Sequence, residues 1–162
     1  KAAERWLGQS LDGGGSAFMA RGSGLEKAAV TAYEFEHDVD TKSIGFVLSD
    51  DRLVGGSPDR FVGADGILEV KCVNAAAHIG ALLGMADDEH RSQCQGLMWL
   101  TGRLWTDLLF YNPDLPPALV RNPRDDEHIE ALAEAVSAFC ARLDACERLG
   151  LAAAPTARPA AR

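Results

Sequence analysis

The stretch from Ser57 to Cys72, SPDRFVGADGILEVKC, constrains the fold of this chain more than any other. Two short apolar runs flank Gly63-Ala64-Asp65-Gly66, the punctuation of a tight reversal, so the segment is predicted to form two antiparallel strands. Side chains alternate faces along a strand, which sends Leu68, Val70 and Cys72 to a core face and Ile67, Glu69 and Lys71 to the other. That second face carries a carboxylate and an ammonium with Cβ atoms about 6 to 7 Å apart, two strand rises. The reversal also brings Asp59 beside Glu69. Two carboxylates converging from adjacent strands make a hard-oxygen site suited to Mg²⁺ or Mn²⁺. A neighbouring lysine can orient or help deprotonate a water and stabilise the charge that develops on a phosphate. These are the parts needed to hydrolyse a phosphodiester.

The surrounding sequence supplies the scaffold. With 162 residues and 47% hydrophobic content, residues 1–150 are expected to form a single domain, followed by an Ala/Pro-rich disordered tail at 151–162. A loop is expected at DGGGS, Asp12 to Ser16. Leu25, Ala28, Ala29, Ala32 and Tyr33 recur at helical spacing and predict a helix from about Ser23 to His37. Residues 43–72 break into three predicted strands. A helix from Asp88 to about Gly102 presents Cys94, Leu97, Met98 and Thr101 on one face, and RLWTDLLFYNP is a strand stopped by Asn-Pro. A long amphipathic helix runs from Asp125 to Leu149, opening on an acidic cap. The fold class expected is α/β, with a mixed central β-sheet flanked by helices.

The net charge of −8 argues against coating nucleic acid through a broadly basic surface. It is compatible with a nuclease, because bound cations reverse the local field of clustered carboxylates. No apolar run reaches the roughly 20 residues a membrane span needs, so a cytoplasmic protein with no membrane partner is expected. Cys72, Cys94, Cys140 and Cys146 lack the close pairing of zinc or iron–sulfur sites and are read as reduced and structural. Trp99 and Trp105 fall on periodic apolar positions and are read as core.

Pro58-Asp59 followed by Glu69-Val70-Lys71 resembles the PD-(D/E)XK nuclease signature. With RGSGLE upstream and QCQGLMWLTGRLWTDLLFYNP downstream, in that order, the chain more specifically resembles the phage lambda-type exonucleases, also called the YqaJ-like viral recombinase family, over roughly residues 20–140. The resemblance implies a restriction-endonuclease-like core and the following roles residue by residue. Asp59, Glu69 and the backbone carbonyl of Val70 hold Mg²⁺ or Mn²⁺, two ions in all, and Glu26 joins the second ion or its water shell. Lys71 acts on the attacking water, and Gln93 contacts that water or the scissile phosphate. It further implies 5′→3′ degradation of linear double-stranded DNA in phage-type recombination, a ring-shaped homotrimer and a single-strand annealing protein as partner. A structure-selective or site-specific endonuclease and a catalytically silent DNA-binding or assembly module are the alternatives.

Departures from the family pattern are Val73 where many members have proline, and His90 where a tyrosine often stands three positions before the first glutamine. A further N-terminal segment that helps bind the 5′ end is expected to be missing in part, leaving a remnant before Arg21. His90 is expected near the nucleotide, and Arg21 and His78 are expected to touch substrate. For His78 a purely structural place in a helix or loop is the alternative. Arg52, Arg60, Arg91 and Arg103 also flank the motifs and are candidates to line a DNA groove. Ser23-Gly24-Leu25-Glu26 equally fits a capping box, in which the glutamate satisfies a helix N-terminus, so Glu26 has two readings.

Overall fold

The computed structural model describes residues 17–85 and 90–153, with side chains at 24–85 and 90–149. Trp6, Leu7, the DGGGS segment, the Arg21 side chain and residues 154–162 lie outside the described residues. Among the described residues the chain divides into two compact units, one up to residue 132 and one from residue 133 onward.

The first unit is built on a five-stranded sheet. In chain order the elements are α1 (Ala17–His37), β1 (Thr41–Ser43), β2 (Val47–Leu48), β3 (Gly55–Gly56), β4 (Arg60–Val62), β5 (Gly66–Lys71), α2 (Ala75–Leu82), α3 (Arg91–Thr101), β6 (Trp105–Phe110) and β7 (Ala118–Pro123). Helix α4 (Asp126–Ala153) starts in this unit and continues through the second. The sheet order is β1-β4-β5-β6-β7, and β2 and β3 pair as a separate ribbon. Only β5 and β6 run parallel within the sheet, Glu69 opposite Leu108, while the other neighbours are antiparallel. The sheet is therefore mixed, as the sequence implies.

Strand β5 is central and covered on both sides. Ile67 packs with Cys94, Leu97, Met98, Leu108 and Phe110, while Leu68 packs with Ala29, Val30, Tyr33, Val62 and Leu109. The Glu69 face thus begins in core, which corrects the reading of one core face and one polar face. Gly66 opens the strand because a Cβ there would collide with the Trp105 ring. Where three strands were predicted in residues 43–72, five run between Thr41 and Lys71, and Ser49 to Leu53 form a tight turn between β2 and β3 held by the Ser49 hydroxyl and the Asp51 carboxylate.

Helix α1 begins at Ala17, six residues before the predicted start. Ser23 is interior to it, so the capping-box reading of Glu26 is overturned: there is no helix end at Ser23 for the glutamate to satisfy. Helix α3 stops at Gly102, whose φ of 69° supplies the left-handed cap that a bulkier residue resists. The start of α4 is capped by Asp125, whose carboxylate accepts the His128 N–H. All four cysteines are free, and among the described residues no helix is long and apolar enough to cross a membrane.

One buried carboxylate ties α1 to two strands. Asp107 on β6 is fully buried; its Oδ2 accepts the Tyr33 hydroxyl at 2.7 Å, and Arg121 on β7 donates to both oxygens at 2.8 Å. The guanidinium stacks 4.0 Å from the Trp105 ring centroid. Burial first, and then the bond to Asp107, raises the Tyr33 pKa. Arg121 reaches Asp107 from a largely exposed position, and without it the buried carboxylate keeps only the Tyr33 hydroxyl. Arg121→Ala is therefore expected to lower unfolding free energy by about 1 to 2 kcal/mol, and Tyr33→Phe by about 1 kcal/mol. Urea denaturation checks both, and an Arg121→Ala midpoint equal to wild type would contradict this role for the pair.

Candidate active site

The polar end of β5 lies beside the start of β4, and the backbone locks the two acidic residues together. The N–H of Val70 donates to Asp59 Oδ2 at 2.8 Å, and the N–H of Asp59 donates to Glu69 Oε1 at 3.2 Å. Pro58, buried just ahead, fixes the approach of the chain. Glu69 lies within β5, and Asp59 stands immediately before β4, held by these two bonds.

Glu69 is 2% exposed. Its second oxygen accepts the Gln93 amide nitrogen at 2.8 Å, and the Lys71 ammonium lies 3.6 Å from the same atom. Lys71 Nζ donates to Gln93 Oε1 at 2.8 Å. The Gln93 amide thus joins the ammonium to the carboxylate, using its acceptor on one and its donor on the other. Burial, followed by the negative charge of Asp59, pushes the Glu69 carboxyl up to about 7; the Lys71 charge and the Asp59 N–H act against that rise.

This donor set fits a hard divalent cation. Two fixed carboxylates with a backbone carbonyl, Val70, between them and Lys71 are the kind of site at which Mg²⁺ retains several waters. The buried, incompletely compensated charge on Glu69 is what a cation would relieve. Among the described residues no group of three or more His, Cys, Asp or Glu side chains forms a closed metal cage.

The remaining predicted residues divide. Glu26 stands on α1, and its charge and that of Asp59 both reach the Cys72 thiol and, after burial, raise its pKa. His90 forms the N-cap of α3, with its ring centroid 6.0 Å from that of Phe110. His78 is a correction. It is fully buried in α2, with Nε2 2.7 Å from the Pro116 carbonyl oxygen, so its ring is not available to DNA. Gln95, outside the predicted catalytic set, faces away from Gln93. It donates to the Pro123 carbonyl and accepts from the Asp125 N–H, both at 2.9 Å, tying α3 to the β7–α4 junction.

Sequence reasoning did not foresee that Cys94 sits near the site: burial, then the charge of Glu69, pushes its thiol up to about 11. The helical spacing signalled a core position but not the carboxylate next to it.

A sequence model of the YqaJ-like viral recombinase domain matches residues 3–104. Among solved structures, the chain is similar to an alkaline exonuclease, LHK-Exo, from Laribacter hongkongensis: 32% identity, TM-score 0.83, 94% of this chain and 80% of that one. The same values apply to LHK-Exo in complex with dAMP. A phage-related exonuclease from Haemophilus somnus 129PT shares the fold at 19% identity and a TM-score of 0.72, again over 94% and 80% of the two chains. No curated protein matches the sequence.

In metal-free protein the Glu69 carboxyl carbon is expected to titrate near pH 7. Carbon-13 NMR would detect this, and a midpoint near 4.5, the ordinary value, would mean that water reaches the carboxylate freely.

Proposed function

The chain belongs to the YqaJ-like viral recombinase family, and from that premise we propose that it is a divalent-metal-dependent exonuclease of linear double-stranded DNA, acting 5′→3′ in phage-type recombination. The observation that carries the reading is the Gln93 bridge between Lys71 and a buried Glu69, with Asp59 locked beside them. Similarity to an alkaline exonuclease at 32% identity over most of both chains supports the reaction class.

Asp59, Glu69 and the Val70 carbonyl would hold Mg²⁺ or Mn²⁺, with Glu26 contributing from α1 to a second ion. When bound, the cation polarises a phosphate oxygen and lowers the pKa of a water. The chain's own residues supply the rest. Gln93 holds Lys71 with its charge directed at the site, where the ammonium orients the attacking water and offsets the charge growing on the phosphate. The water oxygen bonds to phosphorus and gives up a proton to solvent as the bond from phosphorus to the leaving oxygen breaks, and the leaving oxygen takes up a proton, so that one water is consumed per bond cut. Reciprocal backbone bonds between Asp59 and the Glu69-Val70 pair hold both carboxylates ready, so no reorganisation is needed when substrate arrives.

End-labelled linear duplex and covalently closed circular DNA, each incubated with Mg²⁺, test the proposal. Wild type is expected to release the 5′ label and leave the circle intact, and Lys71→Ala is expected to be slower by about 10² or more. Cutting of the closed circle would make the protein an endonuclease, and binding of duplex without cleavage in either Mg²⁺ or Mn²⁺ would make it a binding module. Because Gln93 positions two groups of the site, Gln93→Ala is expected to weaken Mn²⁺ binding or activity about 10- to 100-fold. Calorimetric titration with Mn²⁺ and single-turnover rates report the two effects separately.

A further inference from the structure

Most of the arginines flanking the motifs are already occupied. Arg91 pairs with Asp125 at 2.7 Å. Arg103 donates to the carbonyls of Gly63 and Gly66 and stacks 3.6 Å from the Phe61 ring centroid. Arg121 is held by Asp107, and Arg124 by Asp126 and the Met98 carbonyl. Arg52 occupies the turn between β2 and β3 with φ of 61°.

Arg60 differs. It follows Asp59 directly and pairs with Leu68 of β5, so its side chain leaves β4 on the face that α1 packs against, opposite to the face that carries Glu69. Its Nη1 donates to Ser43 Oγ at 2.9 Å and to the carbonyl oxygen of Asp59 itself at 3.0 Å. Both acceptors are neutral. Among the described residues its Nε and Nη2 make no hydrogen bond and no carboxylate forms an ion pair with it. The nearby Glu34 feels the Arg60 charge only weakly, its carboxylate being taken by the Thr41 N–H and hydroxyl.

A guanidinium tethered at one nitrogen, with the rest of its fork uncommitted, is prepared to bind an anion at little further entropic cost. Planar forks of this kind match phosphate oxygens in two-point contacts. We infer that Arg60 is a substrate-binding residue that grips a backbone phosphate of the DNA beside Asp59, an inference resting on the nuclease reading above. In a chain of net charge −8, such a contact would keep the polyanion near a carboxylate site that otherwise repels it.

The test is anisotropy of a fluorescent linear duplex in Ca²⁺, a cation that takes oxygen ligands, titrated between about 50 and about 200 mM salt. Arg60→Gln is expected to raise Kd about tenfold and flatten the slope of log Kd against log salt by about one, the loss of one phosphate contact. Arg60→Lys keeps the positive charge and is expected to retain the wild-type slope. Thermal melting of both variants controls for folding. Weaker binding by Arg60→Gln with an unchanged salt slope would mean that Arg60 acts structurally, and would overturn the inference while leaving the nuclease reading standing. Failure of wild type to bind duplex would overturn both.

Discussion

Moving a carboxylate out of water costs several kcal/mol unless donors or a cation replace the solvent, and the sheet buries two of them on neighbouring strands. Asp107 and Glu69 lie on β6 and β5, within one register step of each other, but on opposite faces. Asp107 is compensated from within the protein by the Tyr33 hydroxyl and a bidentate arginine. Glu69 is compensated less fully: the Gln93 amide and the Asp59 N–H donate to it, but its ammonium partner stands 3.6 Å away and a second carboxylate adds repulsion, so burial and that repulsion leave its carboxyl pushed up to about 7. The same problem is solved with an internal cation at one position and only in part at the other.

Helix α3 divides its polar work between two sides. Residues two apart on a helix point nearly opposite ways, and Gln93 and Gln95 use this to face the site and the chain junction. Arg91 bonded to Asp125 and Arg124 bonded to the Met98 carbonyl secure the helix at both ends. Gln93 therefore meets Glu69 and Lys71 from a fixed platform.

The motif around Asp59, Glu69 and Lys71 was legible because strand alternation and a glycine-rich reversal are local signals. The face of α3 and its stop at Gly102 were legible for the same reason. What escaped depends on distant packing. Strand β7, preceded by Pro116 and Pro117 and ending at Pro123, received no assignment from the sequence, and it is a strand because β6 offers it an edge. Ile67 looked like part of a polar face because nothing in its neighbourhood reveals that α3 covers it. His78 lay close to the motif in sequence, but its helix turns the ring inward to the Pro116 carbonyl. For Glu26 the S-x-x-E spacing was genuine, yet a cap requires a helix to begin there, and α1 begins earlier.

The parallel pairing of β5 with β6 has a kinetic consequence. The β4–β5 hairpin joins residues close in sequence and can close early, bringing Asp59 to Glu69. Gln93 belongs to the crossover that must be built before β6 can dock alongside β5, and contacts across such a long connection are slow to form. A folding chain would then hold its acidic pair before it holds the amide that aligns the lysine. On that order, competence for cleavage is among the last properties acquired, and a half-folded chain would carry the carboxylates without an aligned Lys71.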